Sequence, residues 1–344
     1  MPAKIKDYEI HISDIQRFKR CRREWSWASH LKRNLEPREK YAPLWIGTLV
    51  HHGLEMRYRS QLMPEESIES FADANLSETQ RNDPKVYENT VLAINLVDSY
   101  IKWQATDRTW LADRNFDFIA PEQDFKVLLW QTTRARIWLA GRFDGIVRRR
   151  DNGQLYLWEI KTTRSIAERE KQLDFDEQTS AYLYAARELG YDVQGVIYTL
   201  IRKKLPESPR ILKNGLLSTD KSVDTTAEHY LACIKTQHSN APLDRDTLLH
   251  YYGDILTHLG SQPNKFFKRC VVHRSQREIE HSAGEIIDVA REMLSPRTPI
   301  YMTATAGCNY CLFRSPCAAY NRGQDYEAIL ERDYQPNQKF VKGE

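Results

Sequence analysis

Two carboxylates and a lysine in the middle of the chain have the types and spacing for metal-assisted hydrolysis. Asp144 stands in Gly141-Arg-Phe-Asp144-Gly145, and Glu159 opens the run Glu159-Ile160-Lys161. Between them lies Asp151-Asn152-Gly153, and Asn-Gly is a strong hairpin signal. A tight antiparallel hairpin about that turn makes Asp144 and Glu159 near cross-strand neighbours, with Cβ atoms roughly 5 Å apart. Like charges that close are unfavourable unless a cation sits between them. Hard carboxylate oxygens suit Mg²⁺ or Mn²⁺. A strand period of two puts Glu159 and Lys161 on one face and a buried Ile160 on the other. A lysine so placed can orient an attacking water or offset charge developing on a phosphate. Taken alone, Glu-x-Lys reads more simply as an exposed ion pair with Asp144 in a turn, so the neighbouring motifs decide.

Gln178 and Tyr182 follow at i and i+4 of a predicted helix and share a face, where an amide and a phenol can position a phosphate or a carboxylate. An ordinary amphipathic helix would show the same pattern. His51 in Gly47-Thr-Leu-Val-His51 offers an imidazole as a further metal ligand, or a satisfied structural histidine. A second chemistry sits near the C-terminus. Cys308, Cys311 and Cys317 form one C-x2-C knuckle with a third cysteine after it, and Cys21 stands alone near the N-terminus. Four thiolates bind zinc tetrahedrally or hold an iron–sulfur cluster, and the spacing leaves both open. Such a clamp joins two distant ends of the chain. Its value lies in fixing them beside a substrate path, because loop-closure entropy grows only slowly with loop length. Cys233 and Cys270 lack neighbours at ligand spacing and read as buried thiols.

The elements that must position these groups are legible in part. Residues 13–34 pattern as one helix with a capping box at Ser13-Asp-Ile-Gln16, and 45–59 as a second. Residues 65–110 are helical with a break at Arg81-Asn-Asp-Pro84. Strand signals begin near Phe116 and continue through 125–130, 137–147 and 155–160. A helix from about Asp176 to Leu189, ending at Gly190, precedes a strand over 195–201. Helical patterns recur at 226–239, 243–260 and 276–294. The order implies an α/β fold around a central mixed sheet flanked by helices. We read residues 1–344 as one domain. A helical region covers 13–115, the catalytic core 116–201, a basic insertion 202–225, and a helical region with the cysteine clamp 226–320.

Composition bounds the function class. The 344 residues are 41% hydrophobic with a mean hydropathy of −0.64, and the longest apolar runs are too short to span a bilayer. The first residues carry no apolar signal core, so the expected compartment is the cytoplasm, where six cysteines are more often ligands or buried thiols than disulfides. The net charge of +3 is small, but residues 202–221 carry six basic and two acidic residues, and residues 17–33 carry seven basic residues against Glu24. Each run alone reads as a solvated face. Flanking a phosphodiester-cleaving site, each reads as a nucleic-acid contact.

Taken in order, these elements resemble the PD-(D/E)XK nuclease superfamily. The match is to its RecB-like, AddB-like branch, which includes phage exonucleases and CRISPR-adaptation exonucleases with iron–sulfur clusters. The pattern runs from Cys21 through Gly47…His51, Gly141…Asp144, Glu159-Ile-Lys161 and Gln178…Tyr182 to Cys308…Cys311…Cys317. The segment 202–225 looks like the insertion of phage-type members. The motif's usual proline is absent near Asp144. The resemblance implies a restriction-endonuclease-like core and a metal-dependent DNA exonuclease of recombination, repair or processing. It implies that His51, Asp144, Glu159 and the Ile160 carbonyl bind Mg²⁺ or Mn²⁺. Lys161 is then catalytic, with Gln178 and Tyr182 in support, and Cys21, Cys308, Cys311 and Cys317 hold a [4Fe–4S] cluster in place of the zinc alternative. DNA, single-stranded or at duplex ends, is the implied substrate. No phosphate-loop motif is present, so a helicase would be a partner. A non-cleaving DNA-binding module on the same scaffold and a zinc-stabilised interaction domain are the competing readings.

Overall fold

The turn at Asp151-Asn152-Gly153 forms as its residues dictate. Gly153 takes φ 74°, its N–H donates to the Arg149 carbonyl at 2.8 Å, and the Arg149 N–H donates to the Gln154 carbonyl at 2.8 Å. The computed structural model describes residues 5–39 and 42–337, so residues 1–4 of the segment read for a signal core lie outside it. The elements before the hairpin are β1 (Lys6–Ile10), α1 (Ile12–Arg20), α2 (Arg22–Ala28), β2 (Leu35–Pro37), α3 (Ala42–Ser60), α4 (Pro64–Asn75), α5 (Glu78–Arg81) and α6 (Pro84–Thr106). The hairpin region comprises β3 (Phe116–Gln131), β4 (Ala135–Arg149) and β5 (Leu155–Thr163). After it come α7 (Ile166–Leu173), α8 (Glu177–Glu188), β6 (Val193–Arg202), α9 (Ala227–Gln237), α10 (Arg245–Gly260), β7 (Phe267–Val272), α11 (Gln276–Leu294), α12 (Arg314–Asn321), α13 (Tyr326–Asp333) and β8 (Tyr334–Pro336).

The sheet is mixed, as expected. β3, β4 and β5 form an antiparallel meander, β1 runs parallel to β4, β6 parallel to β5, and β7 closes the far edge antiparallel to β6. β3 pairs along nearly all of β4, so β1 and β5 share the opposite edge. β1 pairs with Ala135 to Leu139 and β5 with Gly145 to Arg148. The sheet splits between those two stretches, and Asp144 lies at the split.

Alternation along the strands builds two cores. Tyr156, Trp158 and Ile160 of β5 face one core with Leu49 and Leu54 of α3 and Tyr100 of α6. Leu157, with Phe125, Phe143, Tyr182 and Tyr198, faces the other, beneath α8 and α11. The segment 202–225 and the α9–α10 pair share a small core of their own around Tyr230, Tyr252 and Ile255. A fourth cluster packs Trp27 of α2 against Phe313, Leu330 and Tyr334, and β2 pairs antiparallel with β8. The two ends of the described chain are thus joined by apolar packing and a backbone ladder.

Arg269 on β7 holds the first core together from inside. Its side chain is 1% exposed, and its guanidinium lies 4.1 Å over the Trp158 ring. It donates to Gln104 Oε1 at 3.0 Å and Thr199 Oγ1 at 3.2 Å, and pairs with Tyr100 and Asp113. Burial works against its charge, but the surrounding Tyr100 and Asp113 raise its hold on the proton above the ordinary guanidinium value.

Several expectations are corrected. The helix read over 13–34 is two helices, because Cys21 is extended (φ −161°, ψ 112°) and N-caps the second. The capping box falls on His11 and Asp14, not on Ser13. The regions read as helical, 13–115 and 226–320, also hold strands β2 and β7, while β1, ahead of them, and α7 were not legible at all. The C-terminal unit extends past 320 through α13 and β8. Cys233 and Cys270 are half-buried rather than buried.

Candidate active site and cysteine cavity

Asp144 takes over hydrogen bonding where the β4–β5 ladder ends. The last backbone pair is Gly145 with Trp158, and beyond it the Ile160 N–H donates to Asp144 Oδ2 at 2.8 Å. An extended residue directs its N–H and C=O to one edge of the strand, so the Ile160 carbonyl faces the same side. His51 reaches the same carboxylate from α3, with Nδ1 3.4 Å from Asp144 Oδ2. Two glycines permit this approach. A Cβ at Gly47 would meet Thr162 Oγ1 at 3.1 Å, so glycine lets α3 settle on β5. A Cβ at Gly141 would meet the Phe125 ring at 2.7 Å, and that ring stacks on Phe143 and packs edge-on against Tyr182.

Glu159 is 1% exposed. Its Oε2 accepts from Lys161 Nζ at 2.9 Å and from Gln178 Nε2 at 3.2 Å, while Oε1 is buried with no hydrogen-bond partner. Burial, and then the Asp144 charge, push the Glu159 carboxyl up to about 7. Burial also opposes charge on Asp144, but His51, Lys161 and the Ile160 N–H more than offset it and hold its carboxyl below the ordinary value. His51 and Lys161 show the mirror case. Burial works against each cation, and the Asp144 and Glu159 carboxylates leave both more basic than usual. Burial and the two carboxylates raise the Tyr182 phenol, so it stays a neutral hydroxyl beside Gln178. Asp176 was missed by motif reading. It caps α8 by accepting the Gln178 N–H at 2.9 Å, and its charge contributes to the Lys161 environment.

The structure thus brings His51, Asp144, Glu159, Ile160, Lys161, Gln178 and Tyr182 together. Among the described residues, no group of three or more His, Cys, Asp or Glu side chains stands ready-made to hold a metal ion. The fit to a hard divalent cation rests on donor chemistry. Two carboxylates, one with an orphaned buried oxygen, would be relieved by a positive charge between them.

Cys21, Cys308, Cys311 and Cys317 line a single cavity of about 570 Å³. The break between α1 and α2 places Cys21 there, a 3-10 turn over Ala306–Tyr310 carries Cys308, and α12 carries Cys317. Arg23 Nη1 donates to Cys317 Sγ at 3.5 Å and to Asn321 Oδ1 at 2.6 Å. Burial chiefly, with the Glu24 and Cys21 charges, pushes the Cys311 thiol up to about 11. The four sulfurs border one mostly apolar cavity, but among the described residues they do not form a ready-made metal-ligating group.

The basic runs are less free than their composition suggests. Asp224 accepts from Arg202 at 2.8 Å and Lys204 at 2.8 Å, and Lys204 also meets Glu207. In the N-terminal run Arg20 pairs with Glu24, Arg22 with Glu292 and Arg33 with Glu327. The Asp224 pairs carry a pH signature. Hydrogen bonding to Arg202 first, then to Lys204, lowers its carboxyl from 3.8 to about 2. A depressed acid contributes stability that is complete above its unfolded value and is lost as pH falls through the folded one. Asp224→Asn should therefore be less stable than the parent above about pH 4, with the gap closing as pH falls toward about 2. Urea unfolding across that range checks this.

A family model described as the PD-(D/E)XK nuclease superfamily matches residues 10–318. No curated protein matches the chain significantly. Among the described residues, no helix is long and apolar enough to cross a membrane.

Proposed function

Because the chain belongs to the PD-(D/E)XK nuclease superfamily, we propose that this metal-dependent nuclease is a DNA exonuclease of the RecB-like, AddB-like branch, with a cysteine-ligated cluster beside its active site. The observation that carries the reading is the buried set around Asp144 and Glu159, with Lys161 at 2.9 Å from Glu159 and His51 at 3.4 Å from Asp144. Asp144, Glu159, His51 and the Ile160 carbonyl are the residues that would hold Mg²⁺ or Mn²⁺. Bound there, such a cation supplies Lewis acidity at the phosphate and lowers the pKa of a coordinated water. Lys161 holds its proton beside Glu159, and from that position its ammonium orients the attacking water and offsets phosphoryl charge. Gln178 fixes the Glu159 carboxylate by donating to Oε2, and Tyr182 walls the site with a neutral hydroxyl. The setting is recombination, repair or processing of DNA in the cytoplasm, with unwinding left to a partner.

Cys21, Cys308, Cys311 and Cys317 would hold a [4Fe–4S] cluster, with zinc as the alternative. The supporting observation is their shared cavity. Two measurements test the whole reading. End-labelled single-stranded and duplex DNA should be shortened from the ends with Mg²⁺ or Mn²⁺, and EDTA should stop the cutting. Undiminished cutting in chelator, or binding with no cutting under any metal, overturns it. Metal analysis of anaerobically purified protein should give about four irons per chain. About one zinc converts the centre to a zinc clamp, and no metal removes it.

A further inference from the structure

The strand that carries Glu159 and Lys161 ends beside the cysteine loop. Three residues past Lys161, roughly 10 Å along an extended chain, Arg164 is exposed and places its guanidinium 5.1 Å from the centre of the Tyr310 ring. Tyr310 is 62% exposed and sits between Cys308 and Cys311. Among the described residues Arg164 has no ion pair within salt-bridge distance, unlike most cations of the two basic runs. The end of β6 lies alongside, since the Lys203 N–H donates to the Thr163 carbonyl at 2.8 Å. Burial, and then the Arg164 charge, lower the affinity of the Lys203 ammonium for its proton. An anion at this spot would meet the exposed Arg164 guanidinium.

An aromatic face open to water beside exposed positive charge is the combination that binds an unpaired nucleotide. The ring offers a stacking surface for any base, and the guanidinium meets its phosphate. A duplex keeps its bases stacked inside and could use only the charges. We propose that Tyr310 and Arg164 form a platform for an unpaired base and its phosphate on the DNA strand leading to or from the active site, so that this protein takes hold of single-stranded DNA. The inference rests on the nuclease reading and deepens it by naming the substrate form. The platform also gives the cysteine loop a role besides tethering, because the loop that carries Cys308 and Cys311 presents the stacking ring.

The test is binding of a short labelled oligodeoxyadenylate and of a blunt duplex to full-length protein, followed by fluorescence anisotropy in EDTA so that nothing is cut. Tyr310→Ala should weaken single-strand binding roughly tenfold and leave duplex binding unchanged, while Tyr310→Phe keeps full affinity. Arg164→Gln should flatten the salt dependence of single-strand binding by about 0.7 in log–log slope, as for one lost phosphate contact. Metal content of each variant is measured alongside, since Tyr310 borders two cysteines. Should Tyr310→Ala lose bound metal, Arg164→Gln, which leaves that loop intact, decides alone. Single-strand affinity and slope equal to the parent in Arg164→Gln overturn the platform, as does an equal loss on both DNA forms in Tyr310→Ala. A parent protein that neither binds nor cuts any DNA overturns the nuclease reading itself, which is a different result.

Discussion

Lys161→Ala should lower DNA cleavage on the order of a hundred- to a thousandfold while leaving the unfolding transition close to that of the parent. The ammonium is the group nearest Glu159, donating to Oε2 at 2.9 Å. It also lowers the proton affinity of both carboxylates, so its loss raises Glu159 further from its value of about 7. A metal must displace the proton of a protonated carboxyl, so a higher proton affinity weakens metal binding at neutral pH. The variant therefore loses a water-orienting group and binds metal more weakly at Glu159. Asp144→Ala should be as severe, because it frees the Ile160 N–H and removes the partner of His51. Cleavage assays with Mn²⁺ over a range of metal concentrations separate the two effects. A Lys161→Ala defect that high Mn²⁺ fully restores would mean that the lysine acts only through Glu159. Parental rates in either variant would remove that residue from the site.

Arg269→Ala should cost about 3–5 kcal/mol of stability, the largest single-residue loss outside the site. The substitution leaves Asp113 and the hydroxyls of Tyr58 and Tyr100 without their cation, and it opens a cavity under Trp158. Arg269→Met fills part of that space and should recover a fraction of the loss, since packing and charge satisfaction fail separately. Urea unfolding of the two variants gives both numbers. Because Trp158 precedes Glu159, cleavage by Arg269→Met should fall at temperatures where the fold is still intact. A loss under about 1 kcal/mol in Arg269→Ala would show that the network is no more than a surface-like pair.

What was legible in the sequence was local. Asp144, Glu159 and Lys161 belong to one hairpin whose Asn-Gly turn fixes the register, so spacing alone predicts their meeting. Gln178 and Tyr182 follow from one helical repeat, and Gly190 marks the helix end that the structure confirms with φ 85°. Long-range partners left no such trace. Arg269 reads as a basic residue in the short strand Phe267–Val272, yet its partners on α6 and near Asp113 lie over 150 residues earlier. β1 and β7 have only five and six residues, too short for periodicity to register, although Gly260-Ser261-Gln262-Pro263-Asn264 marks a turn ahead of β7. The break at Cys21 escaped notice because the apolar stripe continues across it, with Phe18 and Trp25 both buried and their rings 5.0 Å apart. Charge counting failed in the opposite sense. It reported Arg202 and Lys204 as available when Asp224, twenty or so residues on, neutralises them.

The junction of the two chain ends sets a schedule for biosynthesis. The β2–β8 ladder and the contact of Trp27 with Phe313 and Tyr334 join residues separated by about 300 positions, such as Asn34 and Asn337. At roughly 5–20 residues per second, the partner segment leaves the ribosome on the order of 15–60 s after Trp27 does. Throughout that interval Trp27 has no cover, and Cys21 waits alone for the other three thiols. A nascent chain stalled before Phe313 would keep that apolar face and that thiol exposed, which are the features chaperones and proteases act on. Insertion of any metal centre into the four-cysteine cavity is likewise deferred until translation has passed Cys317, so the cavity can fill only in chains that have already carried the whole catalytic sheet through synthesis.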